Sequence, residues 1–125
     1  MSIGTSHPVV RMFMSPCGSG STALLHSIAE NPDVEAVYQP IKAGISEKGE
    51  ADYSIYKGTH PVFDKKPKYI VFKEALGQDS DARCTLPVFP HYSTAEKIRP
   101  LFLFRDPVTT FNSWKTRGFK DLSLF

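Results

Sequence analysis

The stretch "MSPCGSGSTALLHSIAENP", Met14–Pro32, leaves an apolar run, crosses Gly18-Ser19-Gly20-Ser21-Thr22 and passes straight into a helix-patterned segment. Ahead of the loop, VVRMFM (Val9–Met14) is β-rich and short, and Ser15 and Pro16 are expected to end it. Behind the loop, Leu24, Leu25 and Ile28 recur at helical spacing until Asn31-Pro32 stops the pattern. A strand, a small-residue loop and a helix in that order make the opening unit of a parallel α/β sheet. The loop itself reads two ways. It is either an ordinary Gly/Ser turn with a hydroxyl cap, or a cradle whose backbone N–H groups close around an anion at a helix N-terminus.

The rest of the chain continues the alternation. VEAVYQP (Val34–Pro40) reads as a second strand ended by its proline, and KYIVFKEAL (Lys68–Leu76) as a stronger one. Between them, Lys42 to Lys68 is polar and broken by Gly44, Gly49, Gly58, Pro61 and Pro67, which predicts loop with one helical turn. CTLPVFPHYS (Cys84–Ser93) reads as loop, followed by a short helix over Ser93–Ile98. In RPLFLFRDP the apolar core Leu101–Phe104 has the pattern of a strand buried on both faces. Asp106 then caps a helix with Pro107 at its first position, and Val108, Phe111 and Trp114 are its expected buried side. No internal repeat or low-complexity tract interrupts this order. The expected fold is α/β, a mostly parallel sheet with helices on both faces.

Composition bounds the function classes. The 125 residues are one domain's worth of chain, with 41% hydrophobic and 22% charged residues and a net charge of +2. That charge is too small for a nucleic-acid-binding arm and compatible with an anionic small ligand. No apolar run approaches the roughly 20 residues of a membrane span, and MSIGTSHPVVRMFM has no signal-peptide pattern. Cys17 and Cys84 have neither metal-ligand spacing nor a disulfide framework. A cytoplasmic setting and no bound metal are the resulting expectations.

Nucleotide motifs narrow the loop further. GxxxxGK[ST] would need glycine at Ser15 and lysine at Ser21, and no GxGxxG fingerprint with a following acidic residue is present. A second constellation, LFLFRDPVTTFNSW, sets Arg105 at the end of a strand and Ser113 two turns into the helix capped by Asp106. Arg105 is either a fork for phosphate oxygens, with Ser113 adding a hydroxyl, or a surface partner of Asp106. In a parallel sheet it emerges at the same carboxyl edge as the Gly/Ser loop.

Ser19-Gly20-Ser21-Thr22 and Arg105-Asp106-Pro107 with Ser113, in this order and separation, resemble the sulfotransferases that use 3′-phosphoadenosine 5′-phosphosulfate (PAPS). NPDVEAVYQP is similar to the segment after that family's first helix, and the resemblance runs from about Arg11 to Trp114. It implies a three-layer αβα domain of P-loop type spanning residues 1–125 and incomplete at its C-terminus. It also implies PAPS as co-substrate without a metal, and sulfuryl transfer to a hydroxyl or amine of a small molecule or glycan. Gly18, Ser19, Gly20, Ser21, Thr22 and Ala23 would hold the 5′-phosphosulfate; Arg105 and Ser113 would hold the 3′-phosphate.

The chain departs from the family at two functional positions. Gly18 stands where a lysine or arginine usually precedes the SGST-like core, so another cation must serve, Lys73 or Arg11. Gln39 replaces the glutamate that acts as base in several members, and glutamine accepts no proton at useful pH. Lys73 is therefore the first catalytic candidate and Glu74 the second, although such a Lys-Glu pair serves equally well as a structural ion pair. His60 and His91 are lesser base candidates, and His26 is expected to pack half-buried on the first helix. Two alternatives stay open: a non-catalytic nucleotide-binding domain, and a small-molecule kinase with an atypical P-loop. Neither Lys42–Lys68 nor Pro87–Tyr92 carries a readable acceptor signature.

Overall fold

The computed structural model describes residues 7–16, 19–76, 87–116 and 118. Four strands form one sheet, β1 (Val9–Pro16), β2 (Val34–Tyr38), β3 (Tyr69–Leu76) and β4 (Leu101–Phe102), in the order β2-β3-β1-β4. Every pairing is parallel. The helices are α1 (Ser21–Ala29), α2 (Pro40–Lys48), α3 (Ser54–Lys57), α4 (Tyr92–Ile98) and α5 (Pro107–Thr116), with a 3₁₀ turn at Pro61–Lys65. The chain is an α/β protein, as its alternating pattern predicts. Among the described residues, no helix is long and apolar enough to cross a membrane.

Strand alternation assigns the faces. Phe13 pairs with Lys73 and Ser15 with Ala75, so these residues share one face. Lys73 meets Ser21 and Thr22, which puts α1 there. Met12 pairs with Phe72 and Met14 with Glu74 on the other face. Glu74 receives the N–H of Ile41, which puts α2 there, and Ile55 of α3 and Ile98 of α4 join the same apolar cluster. Phe72 is fully buried in that cluster and meets Tyr56 edge-on at 5.7 Å. Among the described residues, the helices that follow β1 and β3, α1 and α4, thus lie on opposite faces. The crevice between the carboxyl ends of those two strands is a topological switch point, where open α/β sheets bind ligands.

Several expectations are corrected. β1 does not stop at Met14; Ser15 and Pro16 still pair with Ala75 and Leu76, the proline standing at the last position of the strand. The segment 42–68 is far more ordered than a loop, because α2, α3 and the 3₁₀ turn place Ile41, Ile55 and Val62 in the core. β4 is not buried on both faces. It pairs for only two residues at the sheet edge, and Leu101 is 61% exposed and Phe104 77%. On α5, Val108 is exposed and the buried pair is Thr110 and Trp114. His26 is exposed rather than packed.

Candidate functional site

Buried polar residues gather at the carboxyl edge of the sheet. Ser15, Ser21, Gln39, Lys73 and Glu74 are each at most 5% exposed, and all sit at the ends of β1, β2 and β3 or the start of α1. Burying such groups is costly unless partners or a ligand satisfy them, so their clustering marks the edge as more than packing.

The turn into α1 explains itself locally. Gly20 has φ +88°, a left-handed conformation that glycine adopts without strain. It stands at the N-cap but has no side chain to cap with, and no acidic residue occupies the first turn. Helix geometry leaves the first N–H groups, those of Ser21, Thr22 and Ala23 among them, without intrahelical partners at the positive end of the helix. Gly18, with Cys17, lies outside the described residues.

Lys73 reaches into this turn from β3. Its Nζ donates to Ser21 Oγ and to Thr22 Oγ1, both at 2.8 Å, and lies 4.8 Å from the centre of the Tyr38 ring. The Tyr38 contact follows from register, since Tyr38 and Phe13 flank Lys73 on the same face. An ammonium at the positive end of a helix is electrostatically unfavourable there, and an anion entering the turn relieves it. Of the two cations nominated from sequence, Lys73 is therefore the one positioned at the loop. Arg11 is not. It sits toward the amino end of β1, where its guanidinium donates to the Val10 carbonyl at 2.9 Å.

Glu74 projects to the opposite face from Lys73. It is fully buried, and its Oε2 accepts the Ile41 N–H at 2.9 Å. Gln39, the N-cap of α2, offers no side-chain cap, so Glu74 supplies one from the neighbouring strand. Burial first, and then the charge of Glu74, push the Tyr56 hydroxyl above the usual tyrosine range. Glu74 therefore has a structural task in addition to any chemical one.

The geometry of Gln39 is not legible in the sequence. Its φ is +43°, an uncommon value for a side chain other than glycine, and its N–H donates to the Lys73 carbonyl at 2.9 Å. Its buried Oε1 has no hydrogen-bond partner among the described residues, and neither do Ser15 Oγ and Ser19 Oγ. Ser15 carries no sequence signal beyond its place at the end of β1.

One strand further out, the chain leaves β4 toward Arg105 and α5. β4 pairs with Phe13 and Met14, and the Leu103 N–H donates to the Met14 carbonyl at 2.8 Å. Arg105 is exposed just beyond, and Ser113 is half-buried on α5. Asp106 caps α5 as its sequence position predicts, accepting from Thr109 Oγ1 at 2.6 Å and from the Thr109 N–H at 3.2 Å. Those two bonds lower its carboxyl pKa, with a further contribution from the nearby Arg105 charge. His60 spends its Nδ1 on the Val62 N–H at the head of the 3₁₀ turn, and His91 is exposed before α4. No family model, curated protein or solved structure matches the chain.

Proposed function

We propose that the carboxyl edge of the sheet binds PAPS and transfers its sulfuryl group to a hydroxyl or amine acceptor. The observation that carries this reading is the Lys73 ammonium held on the Ser21 and Thr22 hydroxyls at an N-terminus that no side chain caps. Backbone N–H groups, hydroxyls and a cation converging on one turn suit a phosphosulfate better than any neutral group. In this reading Ser19 to Ala23 hold the 5′-phosphosulfate, and Arg105 with Ser113 receives the 3′-phosphate.

The chemistry is an in-line displacement. The acceptor oxygen or nitrogen bonds to sulfur, the sulfur–oxygen bond to the 5′-phosphate breaks, and the electron pair stays on the bridging oxygen. Lys73 stabilises that developing charge, a contribution worth most as the bond breaks. The acceptor proton passes to a base or to water, since Glu74 is fully buried on the face of β3 opposite Lys73 and bonded to the Ile41 N–H.

A second reading, nucleotide binding without turnover, is favoured by one observation: Glu74 already caps α2, and Gln39 cannot take a proton. Thermal unfolding with adenosine 3′,5′-bisphosphate and with ATP tests the site itself. The bisphosphate is expected to stabilise the protein more than ATP does. Arg105→Ala should weaken PAPS by about 1.5–3 kcal/mol while sparing adenosine 5′-phosphosulfate, which has no 3′-phosphate. Equal stabilisation by ATP, or none by either nucleotide, overturns the assignment. Single-turnover transfer from PAPS to a panel of alcohols and amines separates the catalytic from the binding-only reading.

A further inference from the structure

A cavity opens at the other end of β1, away from the Gly/Ser turn. It encloses about 580 Å³, within the range of small-molecule sites. One side is the open edge of β1 from Val9 to Arg11, below the two residues that β4 covers. The opposite side is built by α3, the 3₁₀ turn and α4.

Its chemistry is asymmetric. Arg11, Lys57, Lys97 and His7 line it, and no aspartate or glutamate does. None of Arg11, Lys57 and Lys97 has a salt bridge among the described residues, whereas Lys48, Lys65 and Lys68 each have one. Two ammonium groups at one concavity, Lys57 and Lys97, repel one another, and an anion between them removes that cost. The remaining surface is apolar and aromatic, from Val10, Ile55, Phe63 and Ile98, with Tyr56 beside them. Inorganic phosphate alone would leave that surface wet. A neutral aromatic would leave the charges unanswered.

We infer that this cavity is a binding site for a small aromatic dianion, a flat ring carrying one phosphate-type group. The ring lies on the half-buried Val10, Tyr56 and Phe63 side chains, and the anionic group faces Lys57 and Lys97. Ser93 and Thr94 add hydroxyls at the same rim. The site is separate from the proposed nucleotide edge and stands or falls independently of it.

Phenyl phosphate is the probe, titrated into the ¹⁵N-labelled full chain at about pH 7.5, where a phosphate monoester is mostly dianionic. Inorganic phosphate and benzyl alcohol serve as the half-ligands. Amide shifts are expected at Val9, Val10, Gly58, Thr94 and Lys97, whether or not Gly20 and Ser21 also respond. Phenyl phosphate should bind about tenfold or more tightly than either half-ligand, and added salt should weaken it. Lys57 and Lys97 are exposed, so Lys57→Gln with Lys97→Gln should keep the free spectrum and lose about tenfold or more in affinity. The single substitutions should each give part of that loss. Binding no tighter than that of the half-ligands overturns the inference on wild-type protein alone. Shifts confined to Gly20 and Ser21, or unchanged affinity in the variants, overturn it as well.

Discussion

Lys73 and Glu74 are chain neighbours, yet β3 sends one into the turn before α1 and the other under the first residues of α2. Their substitutions should therefore fail in different ways. Glu74→Gln keeps a carbonyl for the Ile41 N–H, whereas Glu74→Ala leaves that buried donor without its present acceptor. Urea unfolding should show the alanine variant about 1–3 kcal/mol less stable than wild type, with the glutamine variant losing clearly less. The residue pair was legible as chemistry, because charged side chains at the end of an apolar strand stand out. Their separate tasks were not, since alternation alone does not say which helix waits on which face.

The joint between α2 and α3 carries two predictions. A Cβ added to Gly44 would lie 2.5 Å from the Asp52 nitrogen and 2.7 Å from the Asp52 Cβ, and would also meet the Glu50 carbonyl. These neighbours are mostly backbone and cannot swing away, so Gly44→Ala should destabilise by about 1–3 kcal/mol, read as a lower Tm. The Asp52 carboxyl accepts the Ser54 N–H at 2.9 Å and meets Lys48 Nζ at 3.2 Å. The Ser54 side chain first, and then its N–H and Lys48, hold the Asp52 pKa down to about 2 against burial. The unfolded carboxyl titrates near 3.8. Its contribution is thus complete above that value and is lost as pH falls toward 2. Acid unfolding curves of Asp52→Asn should be flatter than wild type across that window. Neither feature could be read from sequence, where Gly44 looked like a loop breaker. The same limit explains α5. Residues spaced by three drift around a helix, so Val108, Phe111 and Trp114 do not share one line, while Thr110 and Trp114 do.

At the scale of the molecule, the parallel α/β architecture was readable because strand and helix periods alternate cleanly outside the segment 42–68. The apolar run at β4 misled, since composition does not reveal that only two residues pair or that Leu101 and Phe104 stay exposed. Occupancy of the carboxyl edge should be visible in global stability. Adenosine 3′,5′-bisphosphate at about 100 times its Kd adds roughly 2.7 kcal/mol, or on the order of 10 °C in Tm for a chain of this size. The pairing of β1 has a separate consequence, in time. Val9 precedes its partner Tyr69 by 60 residues, and β4, its other neighbour, comes later still. At about 5–20 residues per second, a ribosome releases β1 roughly 3–12 s before β3 is made. Throughout that interval VVRMFMSP is an apolar strand with both edges bare, open to pairing with another chain until the middle of the sheet arrives.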